Sequence, residues 1–233
     1  MKTLAAIATY NEAENIERLI REVLSLERGL DVLVIDDNSP DGTGGIADRL
    51  AKEAGGVRVL HRPGKMGLGT ATLAAVKFAV ENGYDLLVTM DADFSHDPKY
   101  LPAILDKARD YDLVIGSRYV PGGGVVNWPL IRRTLSFLVN LYCRCVFRLG
   151  AHDYSGAYRA YRRWVIEKLD PGAFISKGYS FQEEMLIRCA KSGARIAEVP
   201  ITFVNRSEGA TKANLTEMMR SGLMLLRLGL WRK

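Results

Sequence analysis

The sequence is poor in cysteine and histidine. The 233 residues contain three cysteines, Cys143, Cys145 and Cys189, and three histidines. An odd and sparse set of cysteines argues against a disulfide framework, and no second pair completes a zinc site. We therefore expect buried free thiols and a reducing compartment. The lack of a G-x-S-x-G segment argues against a Ser-His-Asp hydrolase.

Long apolar runs are also missing. No stretch reaches the roughly 18 uninterrupted apolar residues of a membrane-spanning helix, and residues 1–8 do not have the layout of a signal peptide. Hydrophobic residues make up 48% and charged residues 25% of the chain, which excludes a disordered, collagen-like or disulfide-dense protein. The length predicts one domain of ordinary size with an appendage.

Acidic and basic residues are unevenly divided along the chain. The net charge is +5, but residues 1–117 carry 13 basic and 19 acidic residues, whereas residues 118–233 carry 19 and 8. Residues 118–163 contain eight arginines and a single acid, Asp153. This division predicts two different ligand surfaces, the basic one for a phosphorylated substrate, an anionic membrane or nucleic acid.

Strand-like and helix-like segments alternate through the first half. Apolar runs predict strands at residues 4–8, 32–35, 57–60, 86–90 and 113–115. Amphipathic or alanine-rich segments predict helices at residues 16–26, 43–54, 67–83 and 99–111. Such alternation is typical of a parallel sheet covered on both faces, with ligands at the carboxyl ends of its strands. Later segments predict a flexible loop at 122–124, helices at 129–149, 179–192 and 215–231, and one strand at 196–204.

Two acidic pairs follow predicted strands and so fall at one edge of the sheet. Asp91 and Asp93 can both reach a hard cation such as Mg²⁺ or Mn²⁺, although an isolated D-x-D also fits an acidic turn. Asp36 and Asp37 end the second strand, where a carboxylate can bind a ribose hydroxyl or a base N–H. The alternative for this pair is a capping cluster with Ser39 and Asp41, and both can hold if Asp36 binds and Asp41 caps.

The segment 64–70 is rich in glycine and precedes a helix. It does not match the phosphate-loop pattern, because Lys65 precedes the glycines. It does not match the dinucleotide pattern either, because Thr72 stands where the third glycine belongs. A phosphate contact at the helix start remains open, but the pattern alone is a weak signal.

Basic residues of the second half offer phosphate contacts. Arg118 closes the fifth strand, and Arg206 and Lys212 flank a polar loop. An arginine fork suits bidentate binding of phosphate, whereas the alternative for each single residue is a solvated surface charge. The helices at 129–149 and 215–231 mix apolar and basic residues, so each either meets a membrane surface or packs on the core.

Eight segments together resemble those of a known family. They are T-Y-N-E at 9–12, D-D-N-S-P-D-G-T at 36–43, G-L-G-T-A at 67–71, M-D-A-D at 90–93 with His96 and Pro98, G-S-R-Y at 116–119, S-G with Y-R-A-Y-R at 155–162, K-G-Y-S-F-Q at 177–182, and V-P-I-T-F-V at 199–204. The sequence resembles the dolichol-phosphate (polyprenol-phosphate) mannosyltransferases, inverting glycosyltransferases of the GT-A fold. The segments from Gly116 onward are the more specific ones.

The resemblance implies an α/β GT-A fold, a mostly parallel sheet flanked by helices, over residues 1–214. Residues 215–233 would form an amphipathic basic helix at a membrane surface. The implied reaction transfers mannose from GDP-mannose to dolichyl or polyprenyl phosphate, with inversion, on the cytosolic face of a membrane. A separate membrane-anchoring subunit is one option, and no nucleic acid partner is expected. The alternatives are UDP-glucose as donor and, less favoured, a basic nucleic-acid-binding protein.

The resemblance also assigns site residues. The expected ligands of Mg²⁺ or Mn²⁺ are Asp91, Asp93 and Ser95. The expected nucleotide contacts are Ala8, Tyr10, Glu12, Val34, Asp36, Asp91, Ala92 and Asp93. The expected acceptor-phosphate contacts are Arg118, Arg132 and Ser136, and the expected catalytic residues are Asp93, Arg118, Arg206 and Lys212. Two positions depart from the family pattern: Ala8 replaces a proline, and Ser95 stands where some members have glutamine, which leaves the third metal ligand open.

Overall fold

A mixed sheet forms the centre of the computed structural model, which describes residues 1–26, 28–176, 178, 180–205 and 224–229. The strands in these residues are β1 (Thr3–Thr9), β2 (Leu30–Asp36), β3 (Val57–His61), β4 (Leu86–Asp91), β5 (Leu113–Ser117), β6 (Gly124–Val126), β7 (Arg159–Arg162), β8 (Ile196–Pro200) and β9 (Thr202–Val204). Seven of them pair in the order β3-β2-β1-β4-β7-β5-β8, and β6 pairs with β9. Every pairing is parallel except those of β7 with β4 and β5, so the mostly parallel sheet is confirmed.

Helices cover both faces of the sheet. They are α1 (Ile16–Ser25), α2 (Thr43–Glu53), α3 (Leu68–Glu81), α4 (Leu101–Lys107), α5 (Leu130–Phe147), α6 (Arg163–Glu167) and α7 (Phe181–Lys191), with 3₁₀ turns at Pro98–Tyr100 and Pro171–Ala173. Residues of α1, α2 and α4 share one buried cluster, and residues of α3, α5, α6 and α7 share the other. Strand β1 contributes alternate residues to the two clusters, so it is apolar throughout.

Two predicted elements are wrong in their extent. The predicted strand 196–204 is two strands in different sheets, because Ile201 donates its N–H to Ser117 and accepts from the N–H of Gly124 with its carbonyl. Gly124, predicted as the last residue of the loop 122–124, is therefore the first residue of strand β6. The predicted helix 99–111 is a 3₁₀ turn followed by α4, which ends at Lys107; Pro102 lacks an N–H and fits an α-helix only in its first turn, so α4 begins at Leu101.

Strand β7 was not predicted at all. It begins at Arg159, whose fully buried guanidinium donates from Nη1 to the carbonyl oxygen of Gln182 (2.7 Å) and from Nη2 to that of Tyr154 (2.6 Å). A strand that buries a charged side chain does not show the apolar run by which the other strands are found. Its insertion between β4 and β5 explains the one antiparallel element of the sheet.

The predicted buried cysteines and the predicted C-terminal helix both lie in the second half of the chain. Cys143 and Cys189 are buried free thiols as expected, but Cys145 is exposed on α5. Residues 224–229 are helical, and two of them, Leu225 and Leu228, are buried in the cluster shared by α3, α5, α6 and α7. The rest of the predicted helix 215–231 lies outside the described residues. Among those that are described, no helix is both long and apolar enough to cross a membrane.

Candidate active site

The predicted site residues converge on one edge of the sheet. Strands β1, β2, β4 and β5 run in the same direction, so their carboxyl ends share an edge. The residues that end or directly follow these strands are Tyr10, Asp36, Asp91 and Arg118. The loop that enters antiparallel β7 reaches the sheet at this same edge. This is the arrangement that the sequence predicts.

Asp36 is buried within a hydrogen-bonded loop. Its Oδ1 accepts from the hydroxyls of Ser39 (2.5 Å) and Thr9 (3.2 Å), and its Oδ2 accepts from the Ser39 backbone N–H (3.1 Å). Asp41, five residues after the end of β2, accepts from the backbone N–H of Thr43 (3.0 Å) at the start of α2. The capping interpretation therefore has direct geometric support, and nucleotide binding by Asp36 stays a prediction.

The other expected nucleotide contacts lie around the end of β1. The Lys65 ammonium lies 4.8 Å from the ring centroid of Tyr10, so the glycine-rich segment folds back over this end. Glu12 is buried, and Ala8 is partly exposed. Val34 is fully buried inside the sheet, where it pairs with β1 and β3. A contact of each of these residues with nucleotide stays a prediction.

The acidic motif after β4 presents two carboxylates. The Asp91 side chain is 33% exposed, whereas Ala92 and Ser95 are buried. Ser95 donates to Asp93 Oδ1 from its backbone N–H (3.1 Å) and from its hydroxyl, so here it supports the carboxylate. Among the described residues, no three His, Cys, Asp or Glu side chains cluster as a metal site. Two carboxylates completed by substrate phosphates and water are a usual donor set for Mg²⁺, so the residues present fit such an ion.

His96, which the sequence placed only within the motif, lies directly behind Asp91. The Asp91 backbone N–H donates to His96 Nδ1 (2.9 Å), and a ring nitrogen that accepts carries no proton. The imidazole is buried and stacks on Tyr158 with 5.0 Å between ring centroids. His96 therefore fixes the backbone at the start of the acidic motif.

Arg118 forms a buried, bidentate ion pair with Asp153. Its Nε and Nη2 donate to the two carboxylate oxygens, each at 2.7 Å, and its backbone N–H donates to Oδ2 at 3.0 Å. Burial alone would lower the pKa of Arg118, but the charge and hydrogen bonds of Asp153 outweigh it and raise the pKa. The solvated-charge alternative is therefore wrong for Arg118. Asp153 was the only acid in its arginine-rich stretch, and that was the signal available in the sequence.

Helix α5 brings the other two expected acceptor contacts next to Arg118. The guanidinium carbons of Arg132 and Arg118 lie 4.2 Å and 5.4 Å from the ring of Trp128. Tyr119, the neighbour of Arg118, donates from its hydroxyl to Ser136 Oγ (2.8 Å). Arg118, Arg132 and Ser136 thus form one group with Trp128, which sequence reasoning missed. Arg206 and Lys212 lie outside the described residues.

A buried asparagine joins α5 to the ion pair. Asn140 Nδ2 donates to Ser155 Oγ (3.3 Å), which also accepts from Arg118 Nη2 (2.8 Å). Asn140 Oδ1 accepts from the backbone N–H of Tyr154 (2.6 Å). The position of α5 and the position of the Arg118 side chain are therefore linked by hydrogen bonds.

Glu183 is a second buried carboxyl near the arginine. Burial raises the pKa of Glu183 to about 8, with Arg159 and Arg118 lowering it and Asp153 raising it further. At neutral pH the protonated form predominates, so Arg118 is balanced by Asp153 and not by two carboxylates. Glu183 therefore adds no second negative charge to the Arg118–Asp153 pair.

One phenyl ring separates the acidic motif from the arginine group. The Phe203 ring centroid lies 5.6 Å from that of His96, 5.4 Å from that of Trp128 and 5.8 Å from the guanidinium carbon of Arg118. A group held by the carboxylates and a group held by the arginines would therefore be neighbours. The site can place an anion and a metal-bound diphosphate side by side.

Comparison with known proteins agrees with this architecture. The family model described as Glycosyl transferase family 2 matches residues 5–170. The undecaprenyl-phosphate mannosyltransferase of Micrococcus luteus is 49% identical over 212 residues, covering 91% of this chain and 87% of that protein. The polyprenol monophosphomannose synthase of Mycolicibacterium smegmatis is 47% identical over 223 residues, covering 94% and 84%.

Solved structures share the fold at lower identity. A glucosyl-3-phosphoglycerate synthase from Mycobacterium tuberculosis, in complex with Mn²⁺, UDP and glucosyl-3-phosphoglycerate, superposes with a TM-score of 0.72 at 18% identity, covering 98% of this chain and 79% of that one. The mannosyl-3-phosphoglycerate synthase from Rubrobacter xylanophilus gives a TM-score of 0.69 at 22% identity, covering 100% and 74%. These likenesses establish the GT-A fold. The chain belongs to glycosyl transferase family 2, in the branch of the polyprenyl-phosphate mannosyltransferases.

Proposed function

We propose that this protein transfers mannose from GDP-mannose to a polyprenyl or dolichyl monophosphate, with inversion at the sugar carbon. The observation that carries the proposal is the pair of arginines, Arg118 and Arg132, one phenyl ring away from the acidic motif. The near relatives named for polyprenyl-phosphate mannosylation support mannose as the sugar and polyprenyl phosphate as the acceptor.

The acceptor needs positioning more than activation. A phosphate monoester has a second pKa of about 6, so it is largely a dianion at neutral pH and needs no general base. Its approach to a diphosphate is opposed by charge, which Arg118 and Arg132 reduce by binding its oxygens. Attack from the side opposite the leaving group converts an α-linked donor into a β-linked product.

The donor diphosphate would lie on Asp91 and Asp93. These carboxylates would hold a divalent ion, Mg²⁺ or Mn²⁺, and the solved neighbours described with Mn²⁺ support that choice of ion class. When bound, such an ion supplies Lewis-acid stabilisation of the departing diphosphate. Ser95 orients Asp93, and His96 fixes the backbone of Asp91. The nucleotide would extend towards Tyr10, Glu12 and Asp36.

A transfer assay with two donors tests this function. Purified protein, a divalent ion and a polyprenyl phosphate are incubated with labelled GDP-mannose or UDP-glucose. We expect mannose, and not glucose, in the lipid phase. Glucose transfer would keep the fold and the acceptor but overturn the donor. Transfer of neither sugar by folded protein would overturn the proposed reaction for the protein acting alone.

We further propose that α5 rests on a membrane. Five large apolar residues of this helix are exposed, with Leu130 at 78% and Ile131 at 74%; the others are Phe137, Leu138 and Leu141. The same helix carries four arginines within or next to it, at positions 132, 133, 144 and 148. Each basic residue near an anionic surface contributes about 1 kcal/mol, and the apolar side chains add interfacial insertion.

The exposed apolar and basic face of α5 fits the division of the chain into residues 1–214 and 215–233 that the resemblance implies. Residues 215–233 would extend the membrane contact from the 1–214 domain, and Leu226, exposed beside buried Leu225 and Leu228, supports this. The membrane would be met on its cytosolic face. A separate anchoring subunit that covers α5 is the alternative occupant.

Polar substitutions on α5 should weaken membrane binding selectively. We expect Phe137→Ser with Leu138→Ser to reduce co-sedimentation with anionic liposomes at least about tenfold, because each apolar side chain contributes about 1.5–3 kcal/mol when fully buried. The thermal midpoint should change little, since both side chains are half-exposed. Thr134→Ser, exposed on the same helix, is the control. Equal binding by both variants would contradict the proposal.

A further inference from the structure

Gln182 carries a buried side-chain amide without a partner. It lies in the first turn of α7 and is 3% exposed. Neither Oε1 nor Nε2 has a hydrogen-bond partner among the described residues, although the backbone oxygen accepts from Arg159 Nη1 at 2.7 Å. Most buried polar atoms in proteins are hydrogen-bonded, so an unsatisfied donor and acceptor on one residue call for a partner, either a water molecule or a ligand.

The same residue lines a small cavity. Its volume is about 10 Å³, which is room for one water molecule or one hydroxyl group. Its walls are mostly apolar, and the hydroxyls of Thr72 and Thr89 in them already donate to backbone oxygens, at 3.0 Å and 2.7 Å. The unsatisfied amide of Gln182 is therefore the group that a small polar ligand would meet there.

The cavity borders the proposed donor site. Asp91 lines it, and the Asp91 side chain is also 33% exposed, so one wall of the cavity reaches the surface where the donor would bind. Ala8, at the end of β1, lines it as well. A sugar attached to a diphosphate on the acidic motif would lie next to this opening.

The helix that carries Gln182 is packed closely against a wall of the cavity. A Cβ atom placed on Gly69 of α3 would come within 2.7 Å of the Phe181 ring, so the two helix starts are in close contact. Phe181 precedes Gln182 and is itself buried. The first turn of α7, which carries Gln182, is thus held against α3, whose residues line the same cavity.

We propose that one hydroxyl group of the donor sugar enters this cavity and hydrogen-bonds to the Gln182 amide, which makes Gln182 a sugar-specificity residue. This inference rests on the proposed glycosyl transfer and concerns the sugar alone, not the nucleotide or the acceptor. A site built to hydrogen-bond a substrate hydroxyl discriminates strongly against an analogue that lacks it, because its own polar groups are then left unpaired. Gln182 would therefore select the sugar, while the acidic motif would bind any suitable diphosphate.

The test compares Gln182→Met with the unaltered protein on deoxy donors. Methionine has a similar length but cannot form these hydrogen bonds. The donors are GDP-mannose and its 2-, 3-, 4- and 6-deoxy analogues, and the measured quantity is kcat/KM. We expect the unaltered protein to use one analogue at least about tenfold less well than GDP-mannose. In Gln182→Met that difference should shrink to about twofold or less, with the other ratios unchanged.

Two further measurements separate the possible failures. Met185→Leu, a buried change one turn later on α7, controls for packing and should leave every ratio unchanged. Binding of GDP-mannose against GDP, and of UDP-glucose against UDP, is measured by calorimetry without acceptor. Loss of the sugar's contribution in Gln182→Met, for either pair, supports the inference even if mannose transfer fails. A fall in kcat/KM of Gln182→Met by the same factor for GDP-mannose and every deoxy analogue, or an unchanged sugar contribution to binding in both pairs, overturns it.

Discussion

Asp153→Asn should be among the most damaging single substitutions in this protein. The change leaves the buried guanidinium of Arg118 without its counter-charge, and breaking a buried ion pair by removing one partner costs about 3–5 kcal/mol. Asp153 also accepts from the backbone N–H groups of Arg118 (3.0 Å) and Gly156 (2.9 Å), so the loop before β7 loosens as well. We expect the urea midpoint to fall accordingly at an unchanged slope.

The effect on transfer should be separable from the effect on stability. Adding Arg118→Met to Asp153→Asn removes both charges, which often restores stability in buried pairs. We expect the double variant to regain most of the lost free energy of unfolding but none of the activity, because the phosphate contact is gone. A double variant no more stable than Asp153→Asn would contradict the ion-pair explanation. Recovery of transfer would show that Arg118 does not contact the acceptor phosphate.

Asp93→Ala should abolish transfer while leaving the fold intact. Loss of a metal carboxylate removes an interaction worth several kcal/mol in the transition state, so we expect a fall in kcat of at least about a thousandfold. Ser95→Ala, which removes only the hydroxyl donor to Asp93, should lie between this variant and the unaltered protein. Asp97→Ala, an acid in the same loop that caps the 3₁₀ turn, is the matched control.

Metal affinity provides a readout besides activity. Binding of Mn²⁺ in the presence of GDP, followed by the loss of its free-ion spin-resonance signal, should weaken in Asp93→Ala and remain in Asp97→Ala. Unchanged Mn²⁺ binding together with lost transfer would assign Asp93 a role other than metal binding. Equal loss in both variants would instead indicate that the whole loop had been disturbed.

The first half of the chain, which carries the proposed donor site, was predictable because its sequence signals are local. Apolar runs mark β1 to β5, and the residues that follow them necessarily share an edge once the strands are parallel. Asp91 and Asp93 could therefore be placed from sequence alone. Strand β7 could not, because its four residues begin and end with an arginine, Arg159 and Arg162, and so form no apolar run. The break at Ile201 was hidden because residues 196–204 read as one β-rich run.

The acceptor half depends on contacts between distant residues. Arg118 and Asp153 are 35 positions apart, and no spacing rule pairs them, so a solvated arginine was an equally consistent interpretation. Trp128 and Phe203 come together only because β6 pairs with β9. The unsatisfied amide of Gln182 has no sequence signature at all, since it is defined by the partners it lacks among the described residues.

Helix α5 exposes part of its apolar surface, and Asn140 fixes its rotation. The helix buries an asparagine beside Cys143 while leucines and a phenylalanine are exposed, which the hydrophobic effect alone would not select in water. Rotation of the helix about its own axis could bury Phe137 and Leu138. It would, however, break the hydrogen bonds of Asn140 with the Tyr154 N–H and with Ser155, and this loss opposes the rotation. The buried side-chain amide of Asn140 thus fixes the rotation of the whole helix about its axis. It thereby also fixes the side of the molecule on which the exposed apolar residues of α5 lie.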